Sequence, residues 1–77
     1  MASKQYFVVL HEDQWKVRFE DENQGPYPSL SKAIRVAIDA AHLIGSKGED
    51  AQVLVQDDAM RFRTEWTYGQ DPYPPED

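Results

Sequence analysis

The sequence predicts an α+β fold of the ββαββ type, one helix packed on a four-stranded, mainly antiparallel sheet. Three observations predict it. Residues 6–20 hold two apolar segments around a polar break, residues 30–44 repeat apolar side chains at helical spacing, and residues 51–66 hold a second pair of strand-like segments. Two hairpins joined by a helix, each offering an apolar face, build a two-layer domain.

The run Tyr6-Phe7-Val8-Val9-Leu10 is apolar without alternation, which suits a central strand covered on both faces. After His11-Glu12-Asp13-Gln14, the segment Trp15-Lys16-Val17-Arg18-Phe19-Glu20 alternates apolar and charged residues at period two, so it is a half-buried strand. The short break makes the pair a hairpin. Residues 21–28 carry one Gly, two Pro and no periodicity, the composition of an irregular connection.

A helix then starts at Ser29, whose hydroxyl can accept from an unpaired N–H of the first turn, while Pro28 blocks backward extension. Leu30, Ala33, Ile34, Ala37, Ile38, Ala41 and Ile44 fall on one stripe. Val36, Ala40 and Leu43 widen the apolar arc beyond what one sheet contact requires. Gly45 and Gly48 are expected to end the helix.

The second hairpin comprises 51–56 and 60–66 around Asp57-Asp58-Ala59. A two-residue turn puts Val53, Val55, Met60, Phe62 and Trp66 on the helix face and Arg61, Arg63 and Glu65 outside. The helix reverses the chain, so strands two and three are expected to run parallel. Placing the first strand centrally gives the order 2-1-4-3. A single domain over residues 5–69 is followed by an extended, acidic, proline-rich tail over 70–77.

Composition narrows the function classes. The chain has 77 residues and a net charge of -6, so it holds one core and no second domain. With no cysteine, disulfides and thiolate chemistry are excluded, and a reducing cytoplasm is the expected location. No stretch has the eighteen or so consecutive apolar residues of a membrane span.

Trp15-x-Val17, Ser29-x-x-x-Ala33-Ile34-x-x-Ala37, Val53-x-Val55 and the ending Glu65-Trp66-Thr67-Tyr68-Gly69-x-Asp71-Pro72 together resemble a small bacterial domain-of-unknown-function family, number 2188. The likeness spans residues 6–72, and its ending is the most specific part. The family often has Asp-Gly turns where this chain has His11-Glu12-Asp13-Gln14 and Asp58-Ala59. The resemblance implies a bacterial or phage source and a compact ββαββ module. It implies no catalytic residue or substrate.

The residues themselves point away from catalysis. His11 and His42 lack the spacing of a metal site, and both are expected to be solvated. The acidic groups Glu12/Asp13, Glu20/Asp21/Glu22, Glu49/Asp50 and Asp57/Asp58 are turn formers without calcium-loop alternation. The two hairpin turns are expected at opposite ends of the sheet. No nucleophile elbow or phosphate-cradling loop occurs. No catalytic residue, metal or cofactor is therefore expected.

The candidate contact surface is the outer sheet face, carrying Phe7, Val9, Lys16, Arg18, Leu54, Arg61 and Arg63. Glu20 and Glu65 are expected there too, as partners for the cations. An apolar patch of this kind marks a contact surface. Its cover is either the tail, through Tyr68, Tyr73 and the prolines, or a second copy in a homodimer. Val36, Ala40 and Leu43 offer an alternative dimer surface on the helix. The expected function is a non-enzymatic protein-interaction or accessory module; the alternative is a nucleic-acid-binding module using the basic face.

Overall fold

A computed structural model describes residues 4–57 and 59–74. Its elements are β1 (Lys4–His11), β2 (Gln14–Phe19), β3 (Glu22–Tyr27), α1 (Leu30–Gly45), β4 (Ala51–Gln56) and β5 (Phe62–Thr67). The α+β class is as expected. The sheet, however, has five strands in the order β3-β2-β1-β4-β5, and its central β1–β4 pair is parallel.

The fifth strand is β3, which sequence reasoning treats as a loop. Its side chains are exposed except for half-buried Tyr27, so no apolar alternation advertises it. Backbone pairing with β2 holds it at the sheet edge, the one place where Pro26 can sit without breaking a ladder on both sides. This strand also reverses the chain once more before α1. The helix therefore connects parallel strands as expected, but they are β3 and β4, and β2 runs antiparallel to β4.

Glu12 and Asp13 form a two-residue turn with φ of 52° and 63°, and it sets Leu10 opposite Trp15. Positive φ at both central positions matches the twist of the flanking strands. Tyr6 and Val8 are buried under the helix, while Phe7 and Val9 are half-buried on the other side. The first strand is thus covered fully on one face, not two. Tyr6 stacks on its cross-strand partner Phe19 at 4.2 Å.

The β4–β5 connection is longer than the two residues expected. Asp57 N–H donates to the Arg61 carbonyl at 2.7 Å, and Met60 takes φ 61°. The Asp57 carboxylate accepts from Ala59 N–H and Arg61 N–H, both at 2.9 Å; Asp58 lies outside the described residues. Three residues in the turn instead of two invert the side-chain parity of β5. Phe62 consequently pairs with Gln56 on the outer face, and Arg63 pairs with buried Val55 on the helix side. A bulge between Val53 and Leu54 absorbs Glu65 and returns Trp66 to the core, opposite Val53.

Ser29 caps α1, its Oγ accepting from Lys32 N–H at 3.2 Å. Ala33, Ala37 and Ala41 are fully buried, so the small residues of the stripe let the helix lie close on the sheet. Val8, Val53 and Val55 meet them from below. Gly45 does not end the helix by a positive φ; Ser46 is the C-cap, and Gly48 supplies the left-handed residue at φ 96°.

The described part of the tail is packed back. Asp71 accepts Thr67 N–H at 2.8 Å and returns its own N–H to the Thr67 carbonyl at 3.0 Å. Trp66 Nε1 donates to the Pro72 carbonyl at 2.8 Å. Tyr73 then lies on the helix, so residues 70–74 do not continue as an extended tail; 75–77 lie outside the described residues.

Candidate functional site

Because the helix covers one side of the sheet, the other is the large face left open. The alternation of β1, β2 and β4 aims Phe7, Val9, Lys16, Arg18 and Leu54 at it. Phe7 stands directly between Arg18 on β2 and Leu54 on β4, and Val9 stands beside Lys16. Five of the seven expected contact residues are brought together.

Arg61 and Arg63 are not. Arg61 belongs to the β4–β5 connection, where its backbone closes the turn on Asp57. Arg63 is on the helix side by register, and its Nη1 meets Glu65 Oε2 at 3.1 Å. Phe62 and Thr64 take their places on the open face. The Phe62 ring meets Phe7 edge to face at 5.1 Å between centroids, with 44% of the residue exposed. Sequence reasoning missed Phe62 because a one-residue difference in turn length decides which way it points.

The two expected carboxylates are each engaged by another cation. Glu20 lies in the β2–β3 turn and reaches Lys4 Nζ at 3.4 Å, at the sheet margin. Glu65 sits in the bulge and engages Arg63. Among the described residues, neither Lys16 nor Arg18 has an ion-pair partner. Amides occupy other outward positions: Asn23 is in register with Arg18, Gln5 with Gln52, and Gln56 with Phe62. A shallow depression runs between Phe7, Arg18 and Phe62 with Lys4 and Glu20 at its margin, continued by a second between Lys16, Val9 and Met60.

The helix side carries a smaller aromatic cluster. His42, expected to be solvated, is half-buried, with Tyr73 stacked on it at 3.7 Å and Tyr68 tilted against it at 5.6 Å. The Tyr73 hydroxyl donates to Asp39 Oδ1 at 2.8 Å, and Arg35 Nε donates to the same oxygen at 3.1 Å. That hydrogen bond to Asp39 holds the Tyr73 hydroxyl above the ordinary tyrosine value, with burial and the Asp39 charge adding and Arg35 opposing. The expected cover of the outer face is therefore spent elsewhere, since Tyr73 and Tyr68 pack at the helix. Of the helix positions considered for a second copy, Ala40 packs against the core, Val36 is half-buried, and Leu43 is open at 59% exposure.

No family model matches the chain, no curated protein matches it, and no solved structure matches it.

One geometric expectation about the acidic turns is corrected. Since β1 and β4 are parallel, the Glu12-Asp13 and Asp57 turns lie at the same end of the sheet, not at opposite ends. Among the described residues, no three His, Asp or Glu side chains converge as metal ligands do. The Asp57 carboxylate is committed to backbone N–H groups of its own turn. No helix among the described residues is long and apolar enough to cross a membrane.

Proposed function

We propose that this chain is a non-enzymatic interaction module of bacterial or phage origin that engages its partner through the open face of the sheet. One observation carries the reading. The face collects Phe7, Val9, Leu54 and Phe62 with two cations that have no ion-pair partner among the described residues, while the packed part of the tail lies on the opposite side. Apolar surface grouped this way on a small domain marks a contact site. Self-association through the helix is the less favoured route, because Ala40 is used internally and Tyr73 occupies the neighbouring surface.

A photo-crosslinking amino acid placed at Phe62, with one at Lys32 on the exposed side of α1 as control, tests the proposal in cells expressing the chain. Adducts are expected from position 62 and not from position 32, and Arg18→Glu should remove them. Equal labelling from both positions, or none from 62, would overturn it.

A further inference from the structure

We infer that the occupant of this face is a single-stranded nucleic acid, an inference that rests on the contact-face reading and specifies its partner. The first reason is charge. Although the chain carries a net charge of -6, no paired outward position of β1, β2, β4 or β5 carries a carboxylate among the described residues, and the carboxylate that lines the depression, Glu20 of the β2–β3 turn, meets Lys4 Nζ at 3.4 Å. Lys16 and Arg18 are two apart on β2, about 6.6 Å along the strand, so they present two separate phosphate contacts. The acids of the turns and tail repel at long range, but screening confines that repulsion to about 8 Å at physiological salt.

The second reason is the aromatic pair. Phe7 and Phe62 stand on β1 and β5, on either side of β4, with Phe62 substantially exposed. An aromatic face beside cations is a platform on which unstacked bases lie while the backbone follows the charges. Gln5 and Gln56 line the same depressions as the rings and offer the amide groups left over from their bonds to Gln52 Oε1 and from Leu10 N–H to base edges. A duplex keeps its bases stacked and offers the rings nothing.

The same features count against a second copy as the occupant. A two-fold contact through this face would gather the Lys16 and Arg18 pairs of two chains with only Glu20, already shared with Lys4, as a neighbouring carboxylate. An acidic peptide would satisfy the cations, yet it would leave the rings without a planar partner.

Fluorescence anisotropy of the full chain with labelled single-stranded oligouridylate and oligothymidylate of about eight nucleotides tests the inference. Two phosphate contacts predict a slope of about -1.4 in log affinity against log salt, or about sevenfold weaker binding at 200 mM than at 50 mM salt. Phe62→Ala should weaken binding about tenfold, and the double variant Lys16→Gln/Arg18→Gln should abolish the salt dependence. Circular dichroism confirms that both variants are folded. A matched duplex should not bind.

No binding of either strand at the lower salt, or variants that bind like the parent, would overturn the inference. Binding of a labelled glutamate-rich peptide instead, lost in the same variants, would overturn the nucleic-acid inference and leave the contact-face reading standing. Sedimentation at twice the chain mass that Phe62→Ala abolishes would likewise replace the nucleic acid by a second copy. Failure of both probes together with silent cross-linking would remove both readings.

Discussion

The Tyr68 ring lies directly over Gly45, so close that a β-carbon at position 45 would overlap it. Gly45 is buried in the last turn of α1, and Tyr68 follows β5, its N–H donating to the Ala51 carbonyl at 2.9 Å. The helix end, the start of β4 and the chain after β5 are thereby joined at one point. Glycine is needed there for space, since its φ is not positive.

Gly45→Ala should therefore destabilise the domain by about 1–3 kcal/mol, the range for overpacking a filled site. Ala is otherwise the better helix former, so propensity alone predicts the opposite sign. Urea unfolding decides between them. In a double-mutant cycle, Tyr68→Ala should recover most of the loss due to Gly45→Ala, because it removes the atoms that clash.

The Glu12-Asp13 turn requires positive φ at two residues that adopt it reluctantly. Replacing the pair by Asn-Gly should stabilise the fold by about 1 kcal/mol without changing the Leu10–Trp15 register. A higher urea midpoint with an unchanged slope checks this. A changed slope would show that the register had moved.

Trp66 is 2% exposed, and its indole N–H is the tie that holds the Pro72 carbonyl. Trp66→Phe keeps an aromatic in the core but removes that donor, and it should cost about 1–2 kcal/mol. Faster amide exchange at Asp71 and Tyr73 should accompany it. Unchanged protection there would mean that the Tyr73 stack on His42 holds the segment by itself.

Alkaline stability should depend on Tyr6. Burial, with the Glu20 charge in second place, raises its hydroxyl above the ordinary value of 10.0. The folded state thus keeps this proton longer than the unfolded state. Its contribution is fully present below pH 10.0 and is lost as pH rises through the folded value. Tyr6→Phe retains the stack on Phe19 and should flatten the alkaline fall in urea stability. A fall of the same steepness would assign it to other groups.

Sequence alone determined the elements whose signal is local. The Ser29 cap, the apolar stripe from Leu30 to Ile44 and the β1–β2 hairpin each depend on residues within one helix or one hairpin. That was enough to put Phe7, Val9, Lys16, Arg18 and Leu54 on one face. Tertiary structure decided what local pattern does not encode. β3 exists because β2 offers it a backbone edge, and no buried side-chain periodicity marks such a strand. That extra reversal changed which strands run parallel and brought two acidic turns to one end. The three-residue β4–β5 turn and the bulge at Glu65 then sent Phe62 outward and Arg63 inward while keeping Trp66 in the core. In a strand each one-residue shift inverts every side chain beyond it, so a small difference in turn geometry chose whether Phe62 or Arg63 stands on the open face.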